Sequence, residues 1–383
     1  MGRDAPGYVT LVDDSTLEAQ DAKSAGLRYT DDRAPGIRRR RLRDTFAYSD
    51  ERGKRLSDPA AIARIKALAI PPAYEDVWIC PLPNGHIQAT GRDARGRKQY
   101  RYHKKWREVR DANKYESTIA FALALPALRA RIAADLSRQA MTRDHVLASV
   151  VRMLETTLVR IGNESYARDN DSYGLTTLRA RHVRIEGEKR IRLRFRGKSG
   201  VEHSVTIEDR RLAKTVKRCR DLPGEALFCF IDEQGETQPI ASDDVNEYIR
   251  SALGDEFSAK NFRTWNATVL CALALGEIGP AATQTEAKAN LKLAIAQTAK
   301  RLGNTAAVCR NAYIHPLVVE TYLDSLSLEL PGARGRTKPN GLHADERRVL
   351  RFLQAAKRID ASAARLALLK KSVRRAKRKK VAA

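Results

Sequence analysis

Near Trp106 the spacing of apolar residues changes from alternation to a period of about 3.6, so the two sides of that point must fold differently. From "GLRYTDD" to "RYHKKW" the chain is a series of short alternating stretches broken by proline, glycine and asparagine. Within it, "EDVWICPLPNGHIQATGRDARGRKQYRYH" reads as strands joined by "PNG" and "ARG" turns, since those residues supply the backbone angles turns require. After "REVRDANKYE", Leu147, Val150, Val151, Leu154, Leu158 and Ile161 recur at helical spacing, as do Leu291, Ile295, Thr298 and Leu302. A stripe of that period buries one helix face, so this part is mainly α. One β insert interrupts it: "IRLRFRGKSGVEHSVTI" alternates on both sides of a glycine-flanked tip, which predicts a hairpin with Lys198 at its turn.

These patterns predict an α+β chain in four parts. Residues 1–26 are polar, mixed in charge and expected to be mobile. Residues 27–106 form a small β-rich domain, and residues 107–328 a mainly α domain carrying the inserted hairpin sheet. Residues 329–383 hold the Pro/Gly-rich linker "LPGARGRTKPNG" and a helical tail ending in "KKSVRRAKRKK". Eight of those eleven residues are basic, as expected of a phosphate-binding arm.

The charge balance narrows the partners. There are 71 lysines and arginines against 46 acids, a formal charge of +25, and such an excess selects a polyanion. Nucleic acid is favoured over a membrane, because no apolar run approaches the ~18 residues of a spanning helix. "MGRDAPGYVTLVDD" lacks the basic-then-apolar order of a secretory signal, so the chain is expected in the cytoplasm, associated with the nucleoid. Cys80, Cys219, Cys229, Cys271 and Cys309 form no CxxC pair and no metal-ligand spacing with histidine, and read as reduced structural thiols.

Two stretches carry candidate chemistry. "GRDARGRKQYRYHKKWR", from Gly91 to Arg107, has eight Lys or Arg and one acid, Asp93. In a strand, Lys98, Tyr100 and Tyr102 share one face, while Arg97, Gln99, Arg101 and His103 share the other. Tyrosines interleaved with bases suit a DNA groove, where hydroxyl and guanidinium groups bond phosphate and Gln99 can read a base edge. The second stretch, "RLGNTAAVCRNAYIHP", puts Tyr313 a few residues past a Gly-Asn-Thr break between helices. Taken singly, Arg160 reads as a helix cap, Lys198 as a solvated turn residue and Arg263 as an ion-pair partner at a helix start. Asn304 likewise reads as an ordinary cap and Tyr313 as a core aromatic.

Their order along the chain, Arg160, Lys198, Arg263 in "FRTW", Asn304 and then Tyr313, resembles the catalytic set of the type IB DNA topoisomerases, in particular the poxvirus-like and bacterial branch. The resemblance runs from about Leu27 to about Leu328 and includes "IPPAYEDVWICPLPNGHIQATGRDARGRKQYRYH", similar to the end of that branch's N-terminal clamp domain. It implies a monomeric clamp on duplex DNA that nicks one strand through a 3′-phosphotyrosyl link to Tyr313, lets supercoils of either sign relax, and reseals. Arg160 and Arg263 would hold the non-bridging phosphate oxygens, Asn304 would add an N–H donor, and Lys198 would act as general acid toward the 5′ oxygen. No metal, ATP or other cofactor is implied, because the bond energy is kept in the phosphotyrosyl link. Tyr166 and Asn163 fall where the family contacts bases.

Asn304 departs from poxvirus and nuclear members, which have histidine there; an amide can donate but cannot exchange a proton near neutral pH. Asn163 stands where a poxvirus-like enzyme has lysine. If residues 304 to 313 formed one straight helix, Asn304 and Tyr313 would lie about 13 Å apart on opposite faces, so a bend is required, expected near "CRNAY". The alternatives are a tyrosine recombinase, which shares the catalytic domain but has histidine where "KNFR" has Lys260, and a non-enzymatic basic DNA-packaging protein.

Overall fold

The computed structural model describes residues 17–358, except 44, 95, 139, 334, 336 and 337, and gives no side-chain placement for 109–114 and 166. The basic stretch at 370–380 and the Tyr166 side chain, both singled out above, therefore lie outside the described residues. The chain divides into two compact units at residues 114/115, within one helix.

The first unit opens with α1 (Leu17–Ser24), inside the segment expected to be mobile. Its Ala22 is fully buried and clusters with Leu27 and Trp106, which gives this short helix an anchor despite its polar sequence. Strands β1 (Ile37–Leu42) and β2 (Thr45–Ser49) precede α2 (Pro59–Ala67), which Asp58 caps by accepting from the Ala60 and Ala61 amides. Strands β3 (Glu75–Ile79), β4 (Ile87–Arg92) and β5 (Lys98–Tyr102) complete an antiparallel sheet of order β2-β1-β3-β4-β5. Alternation decides its two faces: Ile37, Val77, Ile79 and Ala89 point to one side and bury against Ile65 of α2. The basic, tyrosine-bearing β5 is an edge strand.

The long helix α3 (Lys104–Ser137) contains the division between the units. In the second unit follow α4 (Arg143–Thr157) and α5 (Glu164–Asn170), then a three-stranded antiparallel sheet of β6 (Val183–Glu186), β7 (Arg190–Arg196) and β8 (Glu202–Glu208). The β7–β8 hairpin has Lys198 in its turn, as expected, and β6 adds a third strand that its sequence did not announce. Next come α6 (Arg210–Arg220), the short pair β9 (Cys229–Ile231) and β10 (Thr237–Pro239), and α7 (Ser242–Leu253). Then follow α8 (Ala259–Ile278), α9 (Gln284–Leu302), α10 (Ala306–Ala312) and α11 (Pro316–Ser325).

Helix α8 is central: Phe262, Trp265, Cys271 and Leu275 are almost wholly buried along it. A helix over residues 344–358, in the stretch read as linker and tail, also packs into this core through Val349, Leu350, Phe352 and Leu353. Its Glu346 receives Arg129 of α3 at 2.9 Å and the Trp265 indole N–H at 3.0 Å. All five cysteines are free thiols and buried. Among the described residues no helix is long and apolar enough to cross a membrane.

Candidate active site

Three helix ends and one hairpin turn meet in the second unit. Helix α4 stops at Leu158, which takes left-handed angles (φ 59°), and the chain leaves in a new direction that carries Arg160. That loop is held from behind by the Leu175 amide, which donates to the Arg160 carbonyl at 2.9 Å, and by the Thr176 amide, which donates to Ile161 at 2.7 Å. The backbones come so close that a Cβ on Gly174 would lie 2.4 Å from the Gly162 nitrogen, so only glycine fits there. Helix α9 stops in the same way at Gly303 (φ 62°), and Asn304 follows.

Arg263, on the second turn of α8, ties these two ends together. Its guanidinium donates from Nη1 to the Leu158 carbonyl and from Nη2 to the Leu302 carbonyl at 2.8 Å. Both acceptors are carbonyls that a helix C-terminus leaves without an intrahelical partner, and both carry partial negative charge. The ion pair expected from its place in the sequence is therefore replaced by two helix-end contacts. Arg160 likewise caps nothing; its Nη2 donates to Oδ1 of Asn304.

Tyr313 sits at the end of α10, where the helix stops (φ −135°), and its carbonyl lies 3.3 Å from the buried Thr268 hydroxyl. The same hydroxyl accepts the His315 amide at 3.1 Å, fixing the chain on the far side of Tyr313. The bend expected near "CRNAY" takes another form. Asn304 precedes the Thr305 N-cap and so is outside α10, and Tyr313 closes that helix, so the two residues never share a straight helix. The Arg263 guanidinium lies 5.1 Å from the Tyr313 ring centre.

Arg160, Lys198, Arg263 and Tyr313 line one cleft of about 530 Å³, with Asn163, Tyr173 and Lys260 also on its wall. The lining has four cations and no carboxylate, and among the described residues neither arginine is paired with an acid. Asn304 is not on that wall but is joined to it through Arg160; two buried N–H groups, Asn304 Nδ2 and Arg263 Nε, have no hydrogen-bond partner in the protein. A cleft built of unpaired cations and spare donors is made for an anion.

The field acts on Tyr313. Burial alone would raise its hydroxyl, but the charges of Arg263 and Arg160 outweigh that effect and hold it below the ordinary phenol value. Cys309, also near Arg263, goes the other way: burial pushes its thiol up to about 11, so it is a poor nucleophile. Lys260, three residues before Arg263 on α8, adds to the positive field at Tyr313. In the sequence it registered only as an absent histidine; its spacing of one helical turn was the available signal.

The residues proposed for DNA contact separate into two groups. Asn163 lines the cleft. Tyr166 falls within α5, its side chain outside the described residues, and the other five lie on or beside β5 in the first unit, where Tyr100 and Tyr102 stack at 5.8 Å and are exposed, with the Lys98 ammonium 5.5 Å from the Tyr100 ring. Lys98 also pairs with Asp32 at 2.6 Å. Arg97 and Gln99 both bond Asp93, at 2.7 and 3.0 Å. Among the described residues no cluster of three or more His, Cys, Asp or Glu could hold a metal ion.

Comparison with known proteins gives the same direction. The family described as "Eukaryotic DNA topoisomerase I, catalytic core" matches residues 103–328, and "Bacterial DNA topoisomerase IB, N-terminal domain" matches residues 45–93. DNA topoisomerase 1B of Acanthamoeba polyphaga mimivirus is 33% identical over 294 residues, covering 75% of this chain and 87% of the viral protein. DNA topoisomerase 1B of vaccinia virus (strain Copenhagen) is 25% identical over 261 residues, covering 67% and 78% respectively.

Proposed function

Because this chain belongs to the type IB DNA topoisomerases, we propose that it relaxes supercoiled duplex DNA by cutting and resealing one strand through Tyr313. The observation that carries this reading is the acid-free cleft, in which the Tyr313 hydroxyl shares a wall with Arg160, Arg263 and Lys198.

The Tyr313 oxygen attacks a backbone phosphorus, forming an O–P bond as the bond from phosphorus to the 5′ oxygen breaks. Negative charge grows on the non-bridging oxygens, where Arg263 Nε and Asn304 Nδ2 offer donors free of other protein partners and Arg160 adds its positive charge beside them. These donors cost no reorganisation at the moment of reaction. The tyrosine proton leaves to solvent, helped by the lowered proton affinity that the arginines impose. Lys198, exposed on its turn, gives a proton to the departing 5′ oxygen and recovers it when the 5′ hydroxyl returns. One phosphoester replaces another, so the strand reseals without an energy source, a metal or another cofactor. Between the two steps the free end rotates, which removes supercoils of either sign.

The two units act as a clamp on the duplex, with the exposed Tyr100 and Tyr102 of β5 against the groove and Asn163 and Tyr166 near the cleaved step. Arg97, Lys98 and Gln99 turn from their carboxylate partners toward DNA when it binds. The protein works as a monomer on nucleoid DNA in the cytoplasm, and the basic stretch at 370–380 adds affinity. The test is capture of the covalent adduct: denaturing the protein during reaction with 3′-labelled and 5′-labelled nicked-site duplexes. Label should remain with the protein only when it lies on the 3′-phosphate side, and not at all in Tyr313→Phe.

A further inference from the structure

The turn bearing Lys198 and the helix joint bearing Asn304 come from distant parts of the chain, yet one ring lies against both. His203 of β8 stands directly across from Phe195 of β7, and the two rings stack at 5.0 Å with 10° between their planes. A Cβ on Gly197 would fall 2.6 Å from Cδ2 and Nε2 of His203, and a Cβ on Gly303 would fall 2.6 Å from its Cε1. The imidazole is thus packed against bare backbone on two sides. Gly197 immediately precedes Lys198, and Gly303 immediately precedes Asn304.

The backbone alone does not ask for both glycines. Gly303 has left-handed angles, but Gly197 has φ −99°, which any residue adopts, so the ring is the reason for a glycine at 197. The turn itself has few other supports. It is closed by the Gly197 amide donating to Val201 at 2.7 Å and the Gly200 amide donating to Gly197 at 3.1 Å, while Lys198 and Ser199 are exposed.

We propose that His203 is a positioning residue for the cleavage step, a rigid spacer that sets the Lys198 turn at a fixed distance from the Asn304 joint. The inference rests on the reading of Lys198 as general acid. Phe195 keeps the ring from rotating, and the two glycines let it touch the backbone of both elements. A shift of the turn by about 1 Å would misplace the proton donor, and misplacement of that order is enough to cost rate. Burial and the charges of Arg160 and Arg263 keep the imidazole toward its neutral form, so the spacer adds no third cation to the arginine pair.

The experiment compares single-turnover cleavage of two DNA strands, one with the natural 5′ oxygen as leaving atom and one with sulfur there, which leaves without a proton. His203→Ala should slow the oxygen substrate about tenfold and the sulfur substrate less than about threefold. Gly197→Ala, which drives a methyl into the ring, should show the same pattern. His203→Phe, keeping a flat ring against Phe195, should recover most of the rate lost in His203→Ala. Equal slowing of both substrates by His203→Ala and Gly197→Ala, or no slowing of either, overturns the proposal. Lys198→Ala is run beside them. If it is rescued by sulfur and His203→Ala is not, the spacer role alone fails; if Lys198→Ala is not rescued, the acid assignment fails and the spacer falls with it.

Discussion

Arg160 donates through Nη2 to Oδ1 of Asn304, and that contact fixes which way the amide faces. A guanidinium has only donors, so the oxygen must be turned to it and the NH₂ group must point away. That NH₂ nitrogen is buried without a protein partner, which leaves it as a donor for an acceptor entering the site. On the reading proposed above, the amide serves as a hydrogen-bond donor.

Asn304→Asp keeps the acceptor for Arg160 and replaces the donor by a second oxygen. Cleavage should fall about 10²–10³-fold, further than in Asn304→Ala, because a charged acceptor then faces the phosphate. Single-turnover cleavage at saturating enzyme measures both. Asn304→His should introduce a rate step between about pH 6 and 7 that the native protein lacks.

Arg263 joins two helix ends as well as facing the cleft. Arg263→Lys can serve one of the carbonyls of Leu158 and Leu302 but not both in the same geometry. Unfolding in denaturant should show a loss of about 1–3 kcal/mol, with cleavage lowered about a hundredfold or more. Unchanged stability would contradict the part assigned to Arg263 in holding the ends together.

The cleavage rate should rise with pH and level off below the ordinary phenol pKa of about 10, since Arg263 and Arg160 stabilise the Tyr313 phenolate. The sign follows from charge: removing a cation beside the hydroxyl raises its proton affinity. The difference in ultraviolet phenolate absorbance between the native protein and Tyr313→Phe should titrate below that value. The same difference measured in an Arg160→Ala background should titrate higher.

The Glu346 carboxylate, almost wholly buried against Arg129 and Trp265, holds the helix at 344–358 in the core. Glu346→Ala should cost about 3–5 kcal/mol, because it leaves Arg129 with a charge only partly met by Glu155. Burial works against the ionised form, but the Arg129 contacts outweigh it and hold the carboxyl below its ordinary value. A depressed folded pKa contributes stability above the unfolded value, and that contribution is lost as pH falls through about 4.3 and below. Thermal melting from pH 7 to 3 should therefore show a smaller acid-induced drop in Glu346→Ala than in the native protein.

The sequence made some of this legible and hid the rest for physical reasons. Apolar period alone located the helical part, and the alternation around "GKSG" located the hairpin and placed Lys198 in its turn. The edge position of β5 agreed with its mixture of bases and tyrosines. The contacts made by Arg263 were invisible, because Leu158 and Leu302 offer backbone carbonyls, and backbone acceptors leave no mark in a sequence. The bend expected within residues 304–313 came from assuming that both ends were helical, whereas Gly303 and Thr305 had already set Asn304 outside. Residues 329–358 read as linker and tail because "LPGARGRTKPNG" is rich in breakers; the buried Glu346 network lies beyond that stretch and depends on partners far away.

The central claim is that Tyr313 is the nucleophile of a reversible single-strand cut that needs no cofactor, and plasmid relaxation tests it most directly. Supercoiled plasmid is incubated in EDTA with the native protein and, separately, with Tyr313→Phe, which keeps the ring beside Arg263 and removes only the hydroxyl. The native protein should relax the plasmid fully and Tyr313→Phe should leave it supercoiled. Relaxation by both proteins, or by neither, would contradict the account.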